Sequence, residues 1–318
     1  MSALPSMRQL SYLVKLSEKL NFTQAAEASF VTQSTLSGGI QELERQLGAQ
    51  LVERDRQHVR MTPIGEEVVA RARVLLSMAA DLVAHASRAA EPMTGLVRLG
   101  AIPTIAPFML PQLVRAVRER HPKLSVALRE DTTARVLAQV RDGSLDFAVI
   151  ALPYDTTGLR VRELFDDELW LIAAEGDPAA KPARPSVAQL DAQRLLLLEE
   201  GHCLRSHTLE GCGLAERANA TGIEASSVTT LVQMVEEGLG IALLPEMALR
   251  ANLLVGTSVV ARPIGAPAPR RGIALVARGS TARAAEFEAL AEIAARLGKE
   301  PRRRRPRTAA PVAAGADA

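Results

Sequence analysis

The first 62 residues alternate apolar positions at helical spacing with short polar turns. Leu10 and Val14 lie four positions apart, which places them on one face of a helix. Thr23 is placed to cap a second short helix, and Thr32 is placed to cap a third. The pattern therefore predicts a small helical domain over residues 1–62, in the order helix, helix, turn, helix.

The predicted third helix runs to Gly48 and is apolar on one face. Its apolar positions recur at spacings of four, three and four residues: Leu36, Ile40, Leu43 and Leu47. Small polar side chains surround its start: Thr32, Gln33, Ser34, Thr35 and Ser37. Such residues at the start of the second helix of a helix-turn-helix reach base edges in the major groove, while free N–H groups of the first turn meet phosphate. By this pattern alone, the segment is either a DNA-reading helix or a small three-helix fold with a polar cap.

A longer amphipathic pattern follows over residues 63–90. Thr62 as N-cap, Pro63 at the first helical position and Glu66 in the first turn predict where this helix begins. A long helix with one apolar stripe needs a surface that covers the stripe. That surface belongs either to its own domain or to another copy of the chain.

The periodicity changes after residue 94, where strand-like runs begin to alternate with helical ones. Strands are predicted at 97–101, 124–129, 146–151, 168–174, 194–198, 240–244 and 272–278. Helices are predicted at 108–120, 132–141, 229–237 and 281–297. This alternation favours an α/β architecture with mostly parallel sheets, and the segment is long enough for two lobes with a ligand cleft between them.

The charge of the chain is uneven along its length. The formal net charge is +2, but residues 299–318 carry a net +4, which leaves −2 for the remainder. The overall charge therefore does not indicate nucleic-acid binding, which has to be argued from a motif. Residues 299–318 lack apolar periodicity and are predicted to form a disordered basic tail. Its arginine run either stays solvated or touches nucleic acid without sequence preference.

The composition excludes several classes of protein. Two cysteines in 318 residues exclude a disulfide-built scaffold and any metal site that needs three or four thiolates. No run approaches the roughly 18 to 20 apolar residues of a membrane span, and the first residues lack the pattern of a signal peptide. We expect a cytoplasmic protein that does not contact the membrane.

Both cysteines lie in one segment, Cys203 and Cys212, nine positions apart. Three interpretations of this pair stay open: inert buried thiols, a redox pair and a zinc site. His202 and Arg205 can stabilise a thiolate, which favours the redox pair. The spacing of the cysteines and His207 does not match the usual paired zinc ligands, so we expect neither a metal nor a cofactor.

Residues 21–68 read NFTQAAEASFVTQSTLSGGIQELERQLGAQLVERDRQHVRMTPIGEEV, and this run closely resembles the winged helix-turn-helix of LysR-type transcriptional regulators. The resemblance implies a winged helix-turn-helix over 1–62, a dimerising linker helix over 63–90 and a regulatory domain over 91–298 that resembles a two-lobed periplasmic binding protein. It further implies binding to double-stranded operator DNA, contact with RNA polymerase and assembly as a homotetramer, a dimer of dimers. One departure is the pair Gly38-Gly39 followed by Gln41 and Glu42, where many relatives carry basic residues.

Four further segments narrow the resemblance to the peroxide-sensing members of that family: AIPTIAPFMLP at 101–111, LEEGHCLRSHTLEGC at 198–212, SSVTTLVQMVEEGLGIALLP at 226–245 and APRRGIALVAR at 268–278. The resemblance implies that hydrogen peroxide oxidises Cys203 to a sulfenic acid and that Cys212 then forms a disulfide with it. It also implies a thiol reductant of the glutaredoxin or thioredoxin type. The positions that match the peroxide pocket are Thr104, Thr133, His202 and Arg270. Thr132 and Arg271 are immediate neighbours of two of them.

Two other functions compete with this one. A LysR-type regulator could respond to a small organic effector and carry its cysteines incidentally. A thiol peroxidase is a different class of protein, but the sequence shows no Cys-x-x-Cys motif, dinucleotide fingerprint or Walker loop, and an enzyme would leave the DNA-binding motif unexplained. We therefore expect a regulator that is not an enzyme.

Overall fold

The computed structural model describes residues 4–54, 59–88, 92–213 and 223–299. The predicted basic tail lies outside the described residues except for Lys299. The N-terminal domain contains three helices and a two-stranded wing: α1 (Met7–Lys19), α2 (Phe22–Ala28), α3 (Gln33–Leu47), β1 (Val52–Arg54) and β2 (Val59–Met61). The two wing strands pair antiparallel, with Val52 opposite Met61.

Side-chain caps explain where the helices of this domain begin. Thr32 caps α3, because its Oγ1 accepts a hydrogen bond from the backbone N–H of Thr35 at 3.3 Å. The prediction for α2 was wrong by two residues: Asn21, not Thr23, is its N-cap, and Asn21 Oδ1 accepts from the N–H of Gln24 at 3.1 Å. Asparagine caps as well as threonine does, and it stands where the chain is still extended.

The two glycines of α3 face different surroundings. A Cβ on Gly39 would lie 2.8 Å from Cδ2 of Tyr12, so the missing side chain lets α3 pack closely against α1. A Cβ on Gly38 would meet nothing within 4 Å, and Gly38 is exposed. Of the two glycines of α3, packing against α1 therefore requires Gly39 but not Gly38.

The linker helix α4 (Pro63–Arg88) begins as predicted, with Thr62 Oγ1 accepting from the N–H of Gly65 at 3.0 Å. Its first half packs on its own domain, where Val69 and Ala72 are buried. Other apolar side chains of the same helix are exposed: Ile64, Leu75, Met78 and Leu82. The helix thus covers part of its apolar surface within the domain and presents the rest outward.

The remaining elements form the regulatory domain. Its strands are β3 (Gly95–Ala101), β4 (Leu124–Glu130), β5 (Phe147–Leu152), β6 (Leu159–Ala174), β7 (Leu197–Leu198), β8 (Glu224–Ala225), β9 (Ala242–Pro245), β10 (Val259–Pro263) and β11 (Arg270–Arg278). Its helices are α5 (Ala106–Arg120), α6 (Thr133–Asp142), α7 (Cys203–Gly211), α8 (Val228–Glu236), α9 (Glu246–Arg250) and α10 (Ala284–Lys299). None of the described helices is both long and apolar enough to span a bilayer.

The strands form two lobes, as predicted, but the sheets are mixed. β3 pairs parallel with β4 and β5, whereas β11 pairs antiparallel with β5 and β6, and β6 pairs antiparallel with β9 and β10. The expectation of mostly parallel sheets was therefore wrong. The reason is that β6 is 16 residues long and contributes to both lobes. Strands of both lobes pair with it in the antiparallel direction. Two separate apolar clusters mark the two lobes, one around β3, β5 and α5 and the other around β9 and α8.

Candidate functional site

A buried arginine at the start of β11 links Thr104 to β6, near the point where β6 passes from the first apolar cluster to the second. The guanidinium of Arg271 donates from Nη1 to Oγ1 of Thr104 at 2.7 Å and from Nη2 to the carbonyl oxygen of Thr104 at 3.0 Å. It also donates from Nε and Nη2 to Oδ2 of Asp167, at 3.2 and 3.0 Å. Asp167 Oδ1 accepts from the backbone N–H of Met247 at 3.0 Å. Burial raises the pKa of the Asp167 carboxyl, and the charge of Arg271 opposes that shift.

This geometry corrects the assignment of Arg270. Neighbouring residues of a strand point to opposite faces, and here Arg271 is the inward residue with 1% of its surface exposed. The Arg270 side chain is 68% exposed and pairs with Asp166 on the outer surface at 3.3 Å. Arg271, not Arg270, is therefore the cation that contacts Thr104.

The segment that holds both cysteines begins at a turn beside α6. His202 is the N-cap of α7 and Cys203 is its first residue, where the free N–H groups of the first helical turn favour negative charge. A Cβ on Gly201 would lie 3.9 Å from Cγ2 of Thr132, so the turn rests on the residue before α6. Thr133, the first residue of α6, is buried.

Three buried polar atoms of this region have no hydrogen-bond partner among the described residues: Oγ1 of Thr133, Nδ1 of His202 and Nδ1 of His207. Buried polar groups are rarely left unpaired, and those that are call for a functional explanation such as a bound water or ligand. The structure thus joins Thr104 directly to Arg271 and sets the Gly201–Cys203 turn beside the start of α6. The role of these residues in binding peroxide stays a prediction.

The two cysteines are both free thiols and belong to different lobes. Cys203 packs in the apolar cluster of the first lobe, and Cys212 packs in that of the second. Burial raises the pKa of the Cys212 thiol to about 11, so this sulfur is protonated at neutral pH. The two thiols therefore differ in environment, and α7 connects the lobes.

His207 was missed as a site residue by the sequence reasoning. Its side chain is buried, it bonds the carbonyl oxygen of Pro153, and its pKa is lowered to about 4 by burial and by the charge of Arg271. The spacing could have found it, because residue 207 follows Cys203 by four positions and shares its face of a helix. Among the described residues, no three His, Cys, Asp or Glu side chains converge to hold a metal ion.

The candidate DNA-contacting residues lie at the start of α3. Thr32, Gln33, Ser34 and Thr35 are exposed, and Ser37 is half-buried. Hydroxyl contacts order this segment, since Thr32 Oγ1 lies 3.0 Å from Ser34 Oγ and 2.8 Å from Thr35 Oγ1. The polar side chains that were expected to face DNA are therefore presented together on the surface.

A winged helix-turn-helix that a long helix connects to a two-lobed domain defines a one-chain transcriptional regulator with a sensory domain. Residues 7–66 match the family model described as bacterial regulatory helix-turn-helix protein, lysR family, and residues 90–298 match the LysR substrate binding domain. The chain belongs to the LysR family of transcriptional regulators, which confirms the family and the fold predicted from the sequence.

Relatives over nearly the whole chain include two curated proteins. The chain is 50% identical to the HTH-type transcriptional regulator EstR of Acinetobacter baylyi, over 93% of this chain and 98% of that protein. It is 39% identical to a probable hydrogen peroxide-inducible genes activator of Streptomyces viridosporus, over 90% of this chain and 92% of that protein.

Solved structures of OxyR proteins have the same fold. A full-length OxyR from Pseudomonas aeruginosa, with one cysteine replaced by aspartate, superposes with a TM-score of 0.78 at 32% identity, over 92% of this chain and 95% of that one. A hydrogen-peroxide-bound OxyR of Corynebacterium glutamicum, with one cysteine replaced by serine, superposes with a TM-score of 0.62 at 32% identity, over 94% of both chains.

Proposed function

We propose that this protein senses hydrogen peroxide through Cys203 and Cys212 and that oxidation of these thiols changes how it binds double-stranded operator DNA. The observation that carries the proposal is the placement of the two thiols. Cys203 begins α7, the helix that joins the lobes, while Cys212 is kept protonated in the other lobe. The peroxide-related names of several relatives support the same function.

The side chains around Cys203 suit attack on a peroxide. The Cys203 thiolate forms a bond to one peroxide oxygen, the O–O bond breaks, and the second oxygen leaves as hydroxide. Hydroxyl groups such as those of Thr104 and Thr133 hold the neutral peroxide, and the positive charge of Arg271 stabilises the negative charge that develops on the leaving oxygen. The product is a sulfenic acid at Cys203, which the Cys212 thiol condenses to a disulfide with release of water.

Disulfide formation is incompatible with an intact α7. A helix rises about 1.5 Å per residue, so nine residues separate the two Cα atoms by about 13 Å, whereas a disulfide needs roughly 4.4 to 6.8 Å. Oxidation therefore unwinds α7 and withdraws each cysteine from the core of its lobe. Shifting the equilibrium between helical and unwound α7 from 1:99 to 99:1 takes about 5.5 kcal/mol. For a two-electron couple this free energy corresponds to a rise of about 120 mV in the reduction potential of the disulfide. Such a disulfide stays reducible by a cytosolic reductant of the glutaredoxin or thioredoxin type.

The assembly and partners follow from the same architecture. The exposed apolar side chains of α4 supply a surface for a second copy, and two such dimers form the homotetramer. The polar start of α3 enters the major groove of operator DNA, and RNA polymerase is the partner through which binding alters transcription. The protein acts as a cytoplasmic regulator and not as an enzyme.

Intact-mass measurement before and after one equivalent of hydrogen peroxide tests the chemistry. The wild type is expected to lose two hydrogen atoms, Cys212→Ser to gain one oxygen atom, and Cys203→Ser to stay unchanged. Operator footprints of the same samples should change only for the wild type at this dose. The proposal fails if both thiols stay titratable and the footprints do not change.

The same variants separate the two competing functions. Full inducibility of Cys203→Ser, together with protection of the interlobe cleft from proteolysis by an organic effector, would establish an effector-responsive regulator. Steady-state consumption of peroxide with a thiol reductant, faster than stoichiometric oxidation followed by slow reset, would establish a peroxidase.

A further inference from the structure

A buried histidine lies one helical turn beyond the reactive cysteine. His207 and Cys203 are four residues apart on α7 and therefore share one face of the helix. Helical side chains lean towards the N-terminus of their helix, so the imidazole of His207 is directed back over the turn that holds Cys203. Its side chain has only 6% of its surface exposed.

One ring nitrogen of His207 is occupied and the other is not. The carbonyl oxygen of Pro153 can only accept, so the nitrogen that bonds it carries the proton. Nδ1 is buried and has no hydrogen-bond partner among the described residues, which assigns the Pro153 bond to Nε2. In the neutral ring, Nδ1 is a hydrogen-bond acceptor. Burial and the nearby charge of Arg271 hold the pKa of His207 at about 4, so the ring is neutral at pH 7.

The contacts already described offer peroxide mainly donors. The guanidinium of Arg271 can only donate, and Thr104 Oγ1 accepts from it, so the hydroxyl hydrogen of Thr104 is directed away from the arginine as a donor. Hydrogen peroxide carries two O–H groups, and each needs an acceptor once it leaves water. The unpaired Nδ1 of His207 is a buried group of the required kind.

We propose that Nδ1 of His207 accepts a hydrogen bond from hydrogen peroxide, orients it for attack by Cys203, and favours it over alkyl hydroperoxides. The inference rests on the proposed peroxide-sensing function. The O–H group that donates to Nδ1 belongs to the oxygen that leaves. In an alkyl hydroperoxide that oxygen bears carbon in place of hydrogen, so it cannot donate this hydrogen bond. The Cys203 thiolate is oxidised by two electrons as its S–O bond forms and the O–O bond breaks. The departing hydroxide takes a proton from solvent, and His207 keeps its protonation state throughout.

Rates of Cys203 modification in the full-length Cys212→Ser protein test the role of His207. His207→Leu removes the acceptor, whereas His207→Gln supplies an N–H for Pro153 and an oxygen in place of Nδ1. The matched control is His121→Leu, which changes a histidine at the C-terminal end of α5. Three reagents are compared: hydrogen peroxide, tert-butyl hydroperoxide and the thiol alkylator iodoacetamide.

Loss of the hydrogen bond is expected to slow sulfenic acid formation by hydrogen peroxide about tenfold in His207→Leu, equivalent to about 1.4 kcal/mol. The rates with tert-butyl hydroperoxide and iodoacetamide should change less than about twofold, which is too small for a lost hydrogen bond. His207→Gln should retain most of the hydrogen peroxide rate, and His121→Leu should match its parent with all three reagents.

Two results would overturn the inference while leaving the proposed function intact. In one, His207→Leu reacts with hydrogen peroxide as fast as its parent. In the other, all three rates fall together, which would mean that His207 only supports the structure of α7. If hydrogen peroxide fails to oxidise Cys203 in the parent protein itself, the proposed function fails as well.

Discussion

The two adjacent arginines of β11 provide a matched pair for testing the buried contact of Arg271 with Thr104 and Asp167. Arg271→Gln removes a guanidinium that donates to both Thr104 and Asp167 and leaves the Asp167 carboxylate buried with only the N–H of Met247. Breaking one side of a buried ion pair costs about 3 to 5 kcal/mol. Arg270→Gln removes an outer pair with Asp166, which is mostly exposed and is therefore worth less than about 1 kcal/mol.

Urea denaturation of the reduced full-length protein measures both costs. Trp170 is the only tryptophan of the chain and lies on β6, three residues after Asp167. Its fluorescence therefore reports on the unfolding of the part of β6 that holds Asp167. We expect the unfolding midpoint to fall strongly for Arg271→Gln and little for Arg270→Gln, with similar slopes. Adding Asp167→Asn to Arg271→Gln should recover part of the lost stability, because it removes the buried carboxylate that Arg271 no longer pairs with.

The reasoning would be refuted if the two single variants lost similar stability. It would also be refuted if Asp167→Asn added its full cost to that of Arg271→Gln, since independent effects would mean that the two side chains do not interact.

Three further predictions concern the other parts of the chain. Gly38→Ala should slow hydrogen exchange in α3, because alanine is about 1 kcal/mol more favourable than glycine inside a helix. Gly39→Ala should accelerate the exchange, because overpacking against Tyr12 costs about 1 to 3 kcal/mol; equal changes in the two variants would contradict the structure. Thr32→Ala should destabilise α3 by about 1 kcal/mol in the same exchange measurement, and unchanged exchange would exclude the cap. The unfolded chain protonates His207 near its ordinary pKa of 6.5, whereas the folded chain does so only near a pKa of about 4. Stability should therefore fall by up to about 3 kcal/mol as the pH falls through that window, and denaturation of His207→Gln should show a smaller fall.

Much of the fold was predictable because its signals are local. A cap such as Thr32 acts on N–H groups within three residues, and the apolar face of α3 repeats within a single helix. The domain order and the segment that holds Cys203 and Cys212 also came from contiguous runs. Where local signals competed, the prediction slipped, as it did between Asn21 and Thr23 for the start of α2.

Local patterns in the sequence were enough to predict the N-terminal helices, the start of the linker helix and the α/β segment, and the resemblance to LysR-type regulators identified the DNA-binding and two-lobed regulatory domains. Which arginine of the pair 270–271 is buried depends on contacts between distant parts of the chain, since Arg271 and Thr104 are 167 residues apart. Strand pairing was decided in the same way, because β6 collects partners from distant segments of both lobes. The environment of His207 likewise depends on Pro153 and Arg271, which no local pattern connects to α7.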